Sequence, residues 1–160
     1  MDISAKTTET QADRTLDIVR VFDAPAHLLF TAYSRPEHVM KWFGPKCWPL
    51  TKCEMDFRVG GEFHFAMTGP NGEAGPPFGG TYREIVPHTR IVYDNGFEDL
   101  DDGRMLVTVT FDEADGKTTL TISTLFDSVA RKQSYAERGY IEGTQSALDN
   151  MDELLTAMGA

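Results

Sequence analysis

The sequence predicts an α+β fold in which one antiparallel sheet is covered by a long helix at the C-terminal end. Three observations carry that prediction. A short alternating segment near the start leads directly into two proline-bounded helical stretches. The middle of the chain then alternates apolar and polar residues between Gly- and Pro-rich turns, and near residue 140 the apolar spacing changes from two to three and four.

Residues 16–22 (LDIVRVF) form the first strand, with Leu16, Ile18 and Val21 marking an irregular apolar pattern. Asp23 is placed to cap a helix whose first turn suits Pro25. That helix covers residues 26–34, with Leu29, Phe30 and Tyr33 at helical spacing. Pro36 ends it and opens a second short helix through Trp42, which Gly44-Pro45 stops. Strands follow at residues 50–57, 62–68, 81–86, 90–97, 105–111 and 118–126. Gly60-Gly61 and Asp115-Gly116 read as two-residue hairpin turns, and Gly-Pro-Asn-Gly at 69–72 begins a loop that runs to Gly80. In the last hairpin Met105, Val107, Val109 and Phe111 share a face opposite Leu120, Ile122, Thr124 and Phe126.

Residues 133–157 close the chain as a helix, with Ile141, Thr144, Leu148, Met151, Leu155 and Met158 on one stripe. At about 1.5 Å per residue such a helix spans roughly 37 Å, enough to cross a sheet. A sheet of this kind buries one face, and only this helix is large enough to cover it. A strongly curved sheet around one helix need not fill the space between them, which is a route to a cavity.

Composition narrows the partners. The chain has 160 residues, 41% of them hydrophobic and 25% charged, and a formal net charge of −10. That surplus of acid opposes nucleic-acid phosphates and anionic membranes, both of which need clustered Lys and Arg. Residues 1–14 are polar and are expected to form a poorly ordered tail, with residues 15–160 as one domain. No signal-peptide h-region and no membrane-length apolar run occurs, so a cytoplasmic location with reduced thiols is expected. Cys47 and Cys53 are separated by a stretch that reads as extended, too long for a mutual bridge or a shared metal, and are expected to be small buried thiols.

RVFDAPAHLLFTAYSRPEHVMKWFGP (20–45), DFRVGGEF (56–63), GGTYREIVPHTRIVYDNGF (79–97) and ERGYIEGTQSALDNMDELL (137–155) occur in the order of the motifs of a known group. The chain resembles the helix-grip superfamily called SRPBCC or START-like, and within it the homologues of the activator of the heat-shock-protein-90 ATPase. The resemblance extends over residues 15–158. It implies a strand, two helices, six strands and a long helix, with the sheet wrapped around that helix over a deep apolar pocket. It also implies a small apolar ligand (lipid, sterol, hormone or polyketide) or, as the alternative, an accessory role toward a chaperone ATPase. A few members of the superfamily catalyse cyclisation, hydrolysis or oxygenation in that pocket. A homodimer is compatible with all three roles.

The aromatic residues are the first site candidates. Trp42, Phe43 and Trp48 precede the strands, and Phe63, Phe65 and Met67 alternate along one strand face. Tyr82, Tyr93, Phe97, Phe126 and Tyr135 could join them, with Tyr140, Thr144 and Leu148 from the last helix. Each taken singly is a core residue; together they exceed what a small core requires, and an apolar cavity with a few polar tips is how small-molecule sites are built. For acid–base chemistry the candidates are Glu84, Tyr82 and Arg83, weighed against a Glu84 paired with an arginine of the next strand. His27, His38, His64 and His88 show no ligand spacing and read as surface residues, and no cofactor or metal motif is present. The acidic stretch 94–102 fails the EF-hand pattern, because Leu100 falls where a ligand is needed. Gly139 and Gly143 lie four apart in the last helix, where they either fray its first turn or thin it for a close neighbour.

Overall fold

The computed structural model describes residues 9–99 and 103–159. Seven strands form one antiparallel curved sheet: β1 (Thr15–Phe22), β2 (Leu50–Met55), β3 (Glu62–Met67), β4 (Phe78–Val86), β5 (Arg90–Phe97), β6 (Met105–Ala114) and β7 (Lys117–Leu125). Their order is β1-β7-β6-β5-β4-β3-β2, so β2 to β7 make a meander and β1 joins its far edge. Between β1 and β2 lie two helices, α1 (Ala26–Ser34) and α2 (Pro36–Trp42); after β7 come α3 (Val129–Glu137) and α4 (Tyr140–Ala157). The architecture is the helix-grip-like α+β fold that the sequence predicts.

The last hairpin follows its pattern closely. Val107 pairs with Thr124, Val109 with Ile122 and Phe111 with Leu120, and all six are buried. Asp115 and Gly116 both take positive φ, 55° and 77°, as a type I′ turn requires. The α4 stripe is buried at Leu148, Met151 and Leu155, with Ala147 and Leu154 widening it.

Several local expectations need correction. The closing helix is not continuous: Gly139, at φ 93°, separates α3 from an 18-residue α4 that spans roughly 27 Å. Gly60-Gly61 is not a two-residue hairpin. The β2–β3 connection takes six residues, Gly60 alone has positive φ, and Gly61 donates to Arg58 O at 2.8 Å to close a turn. The pair lies against β4, with Gly60 N donating to Tyr82 O and Tyr82 N to Gly61 O. Phe78-Gly79-Gly80 belongs to β4 rather than to a loop. Gly79 pairs with His64 on one side and Gly96 on the other, and a Cβ there would collide with the backbone of Phe63.

Asp23 does not cap α1. Pro25 occupies the cap, and the Glu113 carboxylate of β6 accepts from Ala26 N at 2.7 Å instead. Of the stretch read as a tail, residues 1–8 lie outside the described residues, while Ala12–Arg14 form a 3-10 turn whose Arg14 donates to Phe126 O. Residues 100–102 of the acidic loop also lie outside the described residues.

Candidate functional site

The inner face of the sheet and the helices line a half-open cavity of about 360 Å³. Its floor is the inner side of the central strands. Tyr93, Asn95 and Phe97 project from β5 at alternate positions, beside Met105 and Val107 of β6 and Ile122 of β7. Alternation puts Asp94 on the opposite face of β5. There it is held by Arg83 and Arg104, each at 2.7 Å, and the two guanidinium groups outweigh the effect of burial and lower its pKa. One strand thus carries an apolar wall inside and an ionic brace outside.

The roof comes from α3 and α4. Tyr135, Gly139, Tyr140, Gly143, Thr144 and Ala147 face the cavity. Gly139 and Gly143 are one turn apart, and a Cβ added at either meets nothing within 4 Å, so the missing side chains leave room inside the cavity. The Tyr140 hydroxyl shares a 2.8 Å hydrogen bond with Thr124, and Thr144 Oγ1 donates to Tyr140 O. Arg138 lies 4.4 Å from the centre of the Tyr135 ring, a cation–π contact at the break between the helices.

The rim is formed by residues 42–48 and the loop before β4. Asn150 of α4 donates to Gly44 O, and Lys46 reaches Asn150 and Glu153 at 2.9 and 2.7 Å, which ties this segment to the roof. Phe43 stacks with Phe78 at 6.1 Å between centroids and meets Trp42 at 5.3 Å. Trp48, Met67, Gly75 and Pro76 complete the wall.

Of the residues singled out from sequence, Trp42, Phe43, Trp48, Met67, Tyr93, Phe97, Tyr135, Tyr140 and Thr144 line this cavity. Phe63, Phe65 and Tyr82 do not. They form an aromatic core layer around a much smaller space, of about 20 Å³, beyond Tyr93. Phe126 packs on Tyr135 and Tyr140 from behind, and Leu148 is wholly buried under the roof. Tyr33 of α1 and Met105 of β6 read in the sequence only as helix and strand positions, and Phe78 and Asn95 are not singled out there; all four contribute to the lining. Period-two alternation from Tyr93 to Phe97 would have found Asn95, had a polar residue on an apolar face been weighed as a signal.

Glu84 and Arg83 lie on the outer face. Glu84 pairs with Arg90 of β5 at 2.7 Å, the alternative that its sequence position allowed. Tyr82 is buried in the aromatic layer, where desolvation raises its pKa and keeps the hydroxyl neutral. Among the described residues, the cavity lining includes no Asp, Glu, His, Lys, Arg or Cys. Burial likewise raises the pKa of Tyr33, Tyr93 and Tyr140. The cavity is therefore a neutral, aromatic-walled space at ordinary pH.

His64 points away from Phe63 and Phe65, as expected, and bridges Glu98 and Glu62 at 2.8 and 3.2 Å. His27 and His88 are exposed, but His38 is half-buried, its Nδ1 without a partner among the described residues. Cys47 is exposed rather than buried, because it sits in the turn before β2; Cys53 is half-buried, and desolvation raises its thiol pKa to about 11. Neither is in a disulfide. Among the described residues, no group of three or more His, Cys, Asp or Glu side chains is placed to hold a metal ion, and no helix is long and apolar enough to cross a membrane.

A curved antiparallel sheet gripping a C-terminal helix over an aromatic-walled cavity defines the helix-grip, SRPBCC-type class of protein. More narrowly, the chain belongs to the family described as activator of Hsp90 ATPase homolog 1-like protein, whose model matches residues 23–156. Solved structures agree. A protein from Mycobacterium smegmatis is 31% identical, with a TM-score of 0.82 over 94% of this chain and 96% of that one. A protein from Arthrobacter aurescens is 29% identical, with a TM-score of 0.85 over 93% and 90%. An AHSA1-like protein from Aeromonas hydrophila is 25% identical, with a TM-score of 0.67 over 90% and 94%. No curated protein matches.

Proposed function

We propose that this protein binds one small, largely apolar molecule in the cavity between the sheet and α4. The observation that carries the proposal is the space itself. About 360 Å³ is within the range of small-molecule sites, and its wall is apolar and aromatic with a few polar tips. A core built only for stability would close such a space, since voids forfeit dispersion contacts and destabilise in proportion to their volume. Gly143 favours the same reading, because a larger residue at that point of the roof would fill part of the cavity at no steric cost, whereas Gly139 is required by its left-handed backbone.

The wall has the means to hold a molecule but not, among the described residues, a carboxylate, imidazole or amine to act as acid, base or nucleophile. Binding is accordingly favoured over turnover, and Glu84 and Tyr82 are set aside as catalytic candidates. The proposal places the protein in the cytoplasm as a single domain over residues 15–160, with Cys47 and Cys53 reduced.

Native mass spectrometry of the purified protein, together with a thermal-shift panel of sterols, fatty acids and aromatic polyketides, tests the proposal. The expected result is a one-to-one adduct and a raised Tm for at least one class. A protein that gains no mass and no stability across the panel would overturn it.

The family's description supports a second reading, an accessory to a chaperone ATPase of the heat-shock-protein-90 type. It predicts co-purification with that chaperone and a changed ATPase rate, and an unchanged rate at saturating protein would remove it.

A further inference from the structure

The polar atoms of the cavity wall are few, and they are not equally provided for. Tyr140 has Thr124, and Thr144 has the carbonyl of Tyr140. Asn95 differs. It projects from β5 between Tyr93 and Phe97 into the same wall, and its Oδ1 is buried without a hydrogen-bond partner among the described residues. A buried amide oxygen left unpaired is costly, so native structures satisfy nearly all of them. The torsion that orients a carboxamide is broad, so this one can turn its oxygen toward a molecule in the cavity.

The rest of the wall says what kind of molecule. Aromatic rings outnumber the aliphatic side chains Met67, Met105, Val107, Ile122 and Ala147, and they meet one another edge-on or offset, the geometries in which a further ring is accepted. No charged side chain of the described residues reaches the lining. A carboxylate would lose its hydration with no cation to replace it, inside a chain whose net charge is −10. An ammonium group would lose its hydration with no carboxylate in reach.

We propose that the cavity selects an uncharged aromatic molecule bearing a hydroxyl, and that Asn95 is the specificity residue that accepts the hydrogen bond from that hydroxyl. This rests on the ligand-binding reading of the same cavity. It goes further by excluding fatty acids and other ions from the site and by assigning the recognition to one side chain.

The test is calorimetric, at neutral pH, with five probes of one ring system: naphthalene, 2-naphthol, 2-methoxynaphthalene, 2-naphthoate and 2-naphthylmethylammonium. Wild-type protein is expected to bind 2-naphthol about tenfold more tightly than naphthalene, the effect of one hydrogen bond to a buried acceptor. 2-Methoxynaphthalene keeps the oxygen but has no proton to donate, and it should fall back to the level of naphthalene. Both ionic probes should bind more weakly than naphthalene. Asn95→Leu, of similar size, should retain naphthalene binding and lose the preference for naphthol.

The inference is overturned if naphthol and methoxynaphthalene bind alike, if either ion matches naphthol, or if the preference survives in Asn95→Leu. The methoxy comparison decides the matter on wild-type protein alone should that variant not fold. Naphthalene binding without a hydroxyl preference removes this inference and leaves the ligand-binding reading standing. Failure of all five probes to bind removes this inference, and the ligand-binding reading falls with it only if the sterols, fatty acids and polyketides of the wider panel fail as well.

Discussion

Two residues on one strand show how much alternation decides here. Asp94 faces out and is satisfied by Arg83 and Arg104, while Asn95 faces in and its oxygen has no partner among the described residues. Asp94→Asn should therefore destabilise the protein, by about 1 kcal/mol, since both arginines are half-exposed and water screens what they lose. Urea denaturation measures it. Asn95→Leu should do the reverse in the unliganded protein and raise the urea midpoint, because it removes a buried group that has no partner among the described residues. His64 supplies the pH test at this scale. Its hydrogen bond to Glu98, aided by Glu62, raises its pKa, so the folded state favours the protonated ring. The stabilisation is then fully present below the ordinary histidine value of about 6.5 and is lost as pH rises through the folded pKa. An NMR titration should place His64 above that ordinary value in wild type and closer to it in Glu98→Gln. An unchanged titration would show that the carboxylate contacts do not form in solution.

At the scale of elements, the patterns with strict period were the legible ones. The β6–β7 hairpin could be read from Met105 to Phe111 against Leu120 to Phe126, and its turn from Asp115-Gly116, because alternation and turn chemistry agree there. What escaped was structure whose cause is tertiary. Phe78-Gly79-Gly80 looks like loop composition and is strand because β3 and β5 approach too closely for a Cβ. The cap of α1 comes from Glu113, far away in sequence, and no local rule could supply it. The aromatic residues could be named as a group, but not divided between cavity and core layer, since both sides of that division show the same alternation. The break at Gly139 was visible as a glycine, but its left-handed backbone was not. Gly143 gives the prediction at this scale. Gly143→Ala lies within α4 with open space before it, so it should stabilise the helix by up to about 1 kcal/mol and raise Tm. Gly143→Leu extends into the same space and should weaken any cavity ligand while the circular dichroism spectrum is retained.

The whole molecule is a sheet and a helix that meet only along part of their length. At the β1 end Leu16, Ile18, Leu120 and Met151 are buried, as a continuous core requires. At the other end the aromatic segment 42–48 lines the cavity between the sheet and α4, and Lys46 and Asn150 tie it to α4. Such a molecule should gain stability from whatever fills the gap. A ligand at one hundred times its Kd adds about 2.7 kcal/mol, which for a domain of this size raises Tm by roughly 5–10 °C. The methionines allow a direct view of where a ligand sits, because Met67 and Met105 line the cavity while Met40 lies on the outside of α2. The decisive measurement is a titration with naphthalene followed through the 13C-methyl resonances of the methionines. Saturable ring-current shifts at Met67 and Met105, with Met40 unmoved, are the predicted result; shifts confined to Met40, or none at Met67 and Met105 at naphthalene saturation, would contradict a ligand site in this cavity.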